Sequence, residues 1–407
     1  GNLSTSTTGG IVTNPSTAMT AALRDLYQMM ERSTRSEVIP LIMLQILHMC
    51  FPRFAEKGEN GEPMQQDANE FWVEIVRMLQ QELKIRKSSS MADTTPSVES
   101  EQGAASCSTT ALDATTSRNS VVTCYMGGKF EVTMKCKECP DEPESKATED
   151  WVQLNCYLPT EVKFLHSGLR ARLNEEVIKH SPSLNRDAVH ERKSLICRLP
   201  AYLSIQFVRF YYKEQKEINA KVLRDVKFPI SLDVFDLCTP ELQQKLTPMR
   251  SKFKEYDDRL VASGKLKAAK DAYLAESQGK KREFYPVSFD DDPGSNNSGF
   301  YELQAVLTHK GRSSNSGHYV GWVRRSPDSN EWVMCDDENV SVMSEEQVLD
   351  LSGGGDWHSA YVLLYGPRRL EVLSEQSKKE TPSGNGIINT TEPTENGSNI
   401  ADVKDDS

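Results

Sequence analysis

The period of apolar positions changes once along the chain. Leu23, Leu26, Tyr27 and Met30 recur at i, i+3, i+4 and i+7, one face of an α-helix. Pro40 opens a second helix, where its missing N–H costs little, with Leu44, Leu47, His48 and Phe51 predicted on the inner face. A third helix is predicted from Asp67, an N-cap with Glu70 three residues on, and turns Phe71, Ile75, Met78 and Leu79 inward. Beyond residue 120 the period becomes two. Phe130, Val132, Met134 and Cys136 alternate with polar residues, as do Leu203, Ile205 and Phe207. Further strands are predicted over residues 301–307, 318–323, 331–335 and 360–365. Helices first and antiparallel strands later point to an α+β architecture.

Composition adds what surrounds this body. Residues 1–16 read as a loose Ser/Thr/Gly lead-in, and residues 87–120 hold almost no large apolar side chains, which predicts a disordered insert. A charged stretch, 249–282, is expected to be a helical excursion or a second mobile insert, and residues 374–407 form an acidic polar tail. The ordered domain is thus expected over 17–373. The 48 basic and 59 acidic residues leave a net charge of −11, which argues against a nucleic-acid-binding role. No apolar run approaches the roughly 20 residues of a membrane span, so no membrane partner is expected. Nine scattered cysteines, with no secretory apolar core opening the chain, predict a reducing compartment: cytoplasmic, with a nuclear pool open.

The candidate chemistry lies late in the chain. His318 stands at the mouth of a predicted strand, directly after the Gly/Ser-rich segment from Gly311 to Gly317, and Asp336 and Asp337 close another strand. A carboxylate beside an imidazole fixes its tautomer and steadies the imidazolium, freeing the other nitrogen to deprotonate a nucleophile. Spacing alone nevertheless favours a core histidine and an Asp-Asp turn.

The longer pattern changes that balance. Tyr301-x-Leu303-x-Ala305-Val306-x-x-His309-x-Gly311, then Gly317-His318-Tyr319-x-x-Trp322, Trp332-x-x-x-Asp336-Asp337 and Ala360-Tyr361-Val362-Leu363-Leu364-Tyr365 resemble the histidine box of ubiquitin-specific proteases. Gln65-Gln66-Asp67-Ala68-Asn69-Glu70-Phe71 resembles their QQDAxEF segment. Leu199-Pro200-Ala201-Tyr202-Leu203, Arg209-Phe210 and Phe228-Pro229 resemble their palm strands. The resemblance runs from Thr17 to Leu373, apart from the inserts. It implies a papain-like cysteine protease fold of fingers, palm and thumb, a thiol-dependent hydrolase cleaving after the C-terminal glycine of ubiquitin, and ubiquitin and ubiquitinated proteins as partners. The strings TAALRDL, FAEKGE, LCTPEL, RSKFK and LSGGGDWH resemble a proteasome-associated member, which implies the regulatory particle of the 26S proteasome as a further partner.

By the same resemblance His318 is the general base and Asp336 its orienting carboxylate, with Asp337 the alternative and His309 structural. Asp67 would bind an arginine in the ubiquitin tail, and helix capping accounts for it equally well. The Gly/Ser segment before His318 and Gly353-Gly354-Gly355 fall where the family has loops over the tail groove, as gates or as flexible turns.

One part of the pattern is not found. The family's cysteine box, G-L-x-N-x-G-N-T-C-Y-M-N, has no counterpart before Asp67, so the thumb is expected to be incomplete and the chain inactive as written. The alternative is a non-catalytic ubiquitin- or proteasome-binding module. Thr123-Cys124-Tyr125-Met126 repeats four letters of the box, but it follows Asp67, lacks the Gly-Asn and is expected to open a strand, which makes it a chance similarity. Some relatives carry zinc between two Cys-x-x-Cys pairs. Here Cys136 and Cys139 form one pair and Cys156 stands apart, so neither metal nor other cofactor is expected.

Overall fold

The computed structural model describes residues 14–35, 37–58, 60–85, 119–213, 218–262, 283–313, 316–327 and 329–372. The predicted insert lies outside these residues except for Asn119 and Ser120. The second half of the charged stretch and the whole predicted tail lie outside them too.

Three helices come first: α1 (Pro15–Arg32), α2 (Leu41–Cys50) and α3 (Ala68–Glu82). α1 begins inside the predicted lead-in, because the Asn14 side chain accepts from the Ser16 N–H and Pro15 supplies a first-turn φ. Its buried stripe is Ser16, Met19 and Ala22, whereas Tyr27 and Met30 of the predicted face are exposed. The reason is that only its N-terminal end docks on α3, where Ser16 Oγ donates to Gln81 Oε1 at 2.7 Å and Thr17 Oγ1 to Glu82 Oε2 at 2.9 Å. Pro40 is the N-cap of α2 and not its first helical residue; of the predicted inner face only Leu47 is buried. α3 starts as predicted, its cap Asp67 accepting from Asn69 N and Glu70 N. Ile75 and Met78 then join Met19, Leu47 and Phe54 in one apolar cluster.

The chain re-enters at Ser120, which bridges to Lys84 and caps a short helix, α4 (Val121–Met126). Thr123-Cys124-Tyr125-Met126 is therefore helical and not the start of a strand, since the Ser120 hydroxyl accepts from the Thr123 N–H and extended pairing begins only at Gly128. There follow β1 (Gly128–Cys136), β2 (Ser145–Trp151), β3 (Gln153–Tyr157), α5 (Leu165–Arg172), β4 (Asn174–Ser181), β5 (Arg186–Arg198) and β6 (Leu203–Val208). Next come β7 (Phe210–Lys213), β8 (Ile218–Lys221), β9 (Ser231–Asp233) and α6 (Pro240–Ala262), the last a helix over the start of the predicted charged stretch. β10 (Phe300–Ser313), β11 (Ser316–Arg324), β12 (Trp332–Asp336), β13 (Asn339–Met343), α7 (Glu345–Leu349) and β14 (Ser359–Pro367) complete the described chain.

Two sheets organise this half. β2-β1-β5-β4 form an antiparallel four-stranded sheet. β13-β12-β11-β10-β14-β6-β3 form the larger one, with β9 on β10 and only β3 parallel to its neighbour. Alternation places Leu203, Ile205, Phe207, Leu303, Leu363 and Tyr365 in the main core. The buried Tyr301 hydroxyl donates to the Pro200 carbonyl at 2.5 Å and that of Tyr365 to the Pro229 carbonyl at 2.7 Å, so neither polar tip is stranded.

Arg209, between β6 and β7, is fully buried with no carboxylate partner. Its guanidinium donates to the carbonyls of Ala360, Val222, Arg224 and Ser352 at 2.6–3.1 Å. Burial pushes its pKa down to about 10, which leaves it charged at neutral pH. One side chain thus ties β14, the strand after β8 and the loop at Ser352 together. Arg209→Met is expected to destabilise the fold by about 3 kcal/mol or more, because four buried acceptors lose their donor at once. Urea denaturation checks this, and Arg209→Lys, with three donors on a point charge, should recover only part of the loss.

Candidate active site

β11 and β12 bring the predicted pair together. Gly321 faces Cys335 and Trp322 faces Met334 across these strands, so His318 and Asp336 lie on one face as diagonal neighbours. His318 Nε2 donates to Asp336 Oδ1 at 2.5 Å, both side chains being about one-third exposed. With the proton on Nε2, Nδ1 carries the lone pair and is the nitrogen able to accept a proton. Asp336 is the orienting carboxylate. Asp337 stands one residue on, in the tight turn to β13 at φ 50°, with its carboxylate near the pair but not bonded to His318.

The approach of β10 to β11 requires glycine at the residue before the base. Gly317 has φ 134°, and a Cβ there would sit 2.1 Å from the Lys310 carbonyl oxygen and 2.7 Å from His309 Nε2. His309 is accordingly structural: fully buried, with Phe210 and Tyr319 rings edge-on to it at 5.2 and 4.8 Å. Burial, and then the nearby Lys221 ammonium, pushes its pKa down to about 4. Lys221 is buried too, donates to the His309 carbonyl at 2.5 Å, and is pushed down to about 8 by burial.

His318 and Asp336 open on a cavity of ≈ 970 Å³ whose wall also includes Trp322, Trp357 and His358. Two loops close one side of it and are latched to each other. The Gly311 N–H donates to the Asp356 carbonyl at 3.0 Å, Arg312 pairs with the Asp356 carboxylate at 2.9 Å, and Lys310 lies 4.1 Å over the Trp357 ring. The triple-glycine loop is anchored at its start, where Gly354 N donates to Leu223 O at 2.8 Å and Gly353, at φ 123°, packs against the Arg224 carbonyl. His358 was not singled out from sequence. It approaches Thr308 Oγ1 at 3.3 Å and shares that hydroxyl with Trp322 Nε1, a contact across three strands that no local pattern signals.

Asp67 does two jobs at once. Oδ1 caps α3, and Oδ2 accepts from the Tyr361 hydroxyl of β14 at 2.7 Å, which in turn accepts from Gln206 Nε2 at 3.2 Å. Burial and then the facing carboxylate push the Tyr361 pKa up, so it stays a donor. Through this link the helical region is held to the large sheet.

No cysteine lines the His318 cavity among the described residues. Cys124 is buried elsewhere, its thiol donating to the Pro293 carbonyl at 2.9 Å and its own carbonyl accepting from Arg198. Cys156 and Cys238 are pushed up to about 12 by burial, which makes them inert thiols. Cys335 is exposed and alternates to the face opposite Asp336. Two groups of potential metal ligands occur among the described residues: His318, Asp336 and Asp337 here, and Cys136, Glu142 and His190 in the smaller sheet.

Two outcomes test this geometry. The His309 pKa is lower in the folded chain, about 4, than the ordinary 6.5, so between these values the unfolded chain binds the extra proton. Stability is therefore expected to fall on acidification from pH 6.5 towards 4, by on the order of 2–3 kcal/mol, and His309→Phe should remove that slope in pH-dependent urea midpoints. Separately, Asp67→Ala should cost about 1–2 kcal/mol and Tyr361→Phe about 1 kcal/mol, the double variant less than the sum.

Comparison with known proteins follows the same outline. The family model for ubiquitin carboxyl-terminal hydrolase matches residues 3–365. The chain is 44% identical over 265 residues to ubiquitin carboxyl-terminal hydrolase 14 of Caenorhabditis elegans, covering 65% of this chain and 54% of that protein. It is 35% identical over 361 residues to ubiquitin carboxyl-terminal hydrolase 7 of Arabidopsis thaliana, covering 87% of this chain and 69% of the relative. It thus spans about half the length of the first of these relatives and about two thirds of the second. Among solved structures, the SAGA Ubp8/Sgf11/Sus1/Sgf73 DUB module bound to ubiquitin aldehyde shares the fold at a TM-score of 0.53 and 18% identity, over 88% of this chain and 61% of that one. A match running from residue 3 to residue 365, through the helical region and both sheets, makes this chain a member of the ubiquitin carboxyl-terminal hydrolase family, with the α+β fold of its ubiquitin-specific proteases.

Proposed function

We propose that the complete domain is a thiol-dependent hydrolase that cleaves the isopeptide bond after the C-terminal glycine of ubiquitin, and that this chain carries its base half. The observation that supports this reading is His318 Nε2 held by Asp336 at 2.5 Å at the mouth of a cavity, with Nδ1 left to act. In that reaction Nδ1 takes the thiol proton as sulfur attacks the glycine carbonyl, then gives it to the leaving lysine amine. A water deprotonated by Nδ1 then splits the thioester, and sulfur regains its proton through the imidazolium. Asp336 keeps the ring in the productive tautomer and balances the imidazolium charge. Asp67, already turned towards the large sheet, would meet an arginine of the extended ubiquitin tail.

A second reading is favoured for this chain by itself, because no described cysteine stands beside His318. By itself it binds ubiquitin and ubiquitinated proteins without turning them over. Its setting, on the strength of the motif strings, is the proteasome regulatory particle, in the cytoplasm and nucleus, a compartment suited to unbridged buried thiols such as Cys156 and Cys238. No described helix is long and apolar enough to cross a membrane.

The test is ubiquitin carrying a C-terminal electrophile, offered to the purified chain. The expected result is no covalent adduct, with equilibrium binding of unmodified ubiquitin weakened at least about tenfold by Asp67→Lys. An adduct lost in both Cys124→Ser and His318→Ala would overturn the inactive reading and make Cys124 the nucleophile. Absence of any ubiquitin binding would overturn the binding-module reading.

A further inference from the structure

The end of β1 and the middle of β5 assemble three side chains that the reaction does not use. Cys136 and His190 are directly paired across these strands, so their side chains are neighbours on one face of the four-stranded sheet. Both are buried, at 3% and 4% exposure. Glu142 returns to them from the turn that follows β1, where its N–H donates to the Cys139 carbonyl at 3.2 Å. One donor atom from each of the three, thiol sulfur, ring nitrogen and carboxylate oxygen, lies within 4.8 Å of the other two, and His190 Nε2 is 3.6 Å from Glu142 Oε1.

The hydrogen bonds around this group settle which atoms are free. His190 Nδ1 is 3.0 Å from the Ala188 carbonyl, which can only accept, so Nδ1 carries a proton and donates it. In the neutral ring Nε2 is left with its lone pair, aimed at a carboxylate oxygen. The Ser181 hydroxyl donates to the other oxygen, Oε2, which orients the carboxylate and leaves Oε1 facing inwards. A ring nitrogen fixed through its far N–H to a backbone carbonyl, and a carboxylate fixed by a hydroxyl, are the outer-layer contacts that hold metal ligands in place. Donor atoms around a tetrahedral zinc ion lie roughly 3.3–3.8 Å apart, close to the separation already present.

We propose that Cys136, His190 and Glu142 bind a divalent zinc-type cation that cross-links β1, β5 and the intervening turn. Thiolate and imidazole together select zinc over magnesium or calcium. A water or Cys139, half-buried and three residues after Cys136, completes the fourth position. The sequence pointed away from a metal because a second Cys-x-x-Cys pair is missing; the sheet register supplies a histidine and a glutamate in its place.

The chelator-stripped full chain, titrated with cobalt(II), tests this. The expected result is one cobalt per chain, with the visible bands of a tetrahedral ion and a near-ultraviolet thiolate-to-cobalt band, both removed by added zinc. Cys136→Ser should lose the thiolate band, and His190→Gln and Glu142→Gln should each weaken binding at least about tenfold. Glu142→Gln lies on a turn and serves as the variant whose fold is least disturbed, with far-ultraviolet circular dichroism as the check. A chain that gives no tetrahedral spectrum overturns the proposal and leaves a His190–Glu142 ion pair. A spectrum unchanged in all three variants overturns it as adventitious binding.

Discussion

The register between β11 and β12 is the constraint on which the candidate site depends. A slip of one residue would turn His318 away from Asp336, and it would also carry Val320, Trp322 and Trp332 out of the core into water. The same apolar burial that holds the sheet together therefore aligns the imidazole with its carboxylate. No separate energetic term is needed for the alignment. Gly317 completes the arrangement, since any larger residue there would collide with the Lys310 carbonyl and the His309 ring and push β11 off β10.

Around that register the chain places cations where water is scarce and satisfies them with backbone oxygen. Arg209 gathers four carbonyls from three segments, and Lys221 takes one from His309. Such charges are costly to bury, and their value lies in fixing loops that have few apolar contacts of their own. The loop at Ser352 is held this way, and through Asp356 it is latched to the segment before the base. Asp67 does the corresponding work for the helices, one oxygen on α3 and the other on β14.

Much of this was legible in the residues. The strand periods around Phe130, Leu203 and Leu303 reappear in the two sheets, and the Asp67 cap and inward Ile75 and Met78 reappear in α3. The face predicted for α1 did not, because periodicity marks where apolar side chains recur and not which of them finds a neighbour; only the end docked on α3 is covered. Thr123 to Met126 misled for a local reason. The Gly127-Gly128 pair suggested an extended start, while the Ser120 cap, which decides for a helix, stood on the far side of the segment.

By itself the sequence determined the α+β class, the family, and the candidacy of His318, Asp336 and Asp67, because those are properties of residue type, order and period. Only the tertiary structure decided that Asp336 rather than Asp337 holds the base, that Tyr361 shares the Asp67 carboxylate, and that His190 and Glu142 meet Cys136. Each of these depends on which strand lies beside which and in what register. That choice is made by the burial of whole faces at once, and no single segment records it.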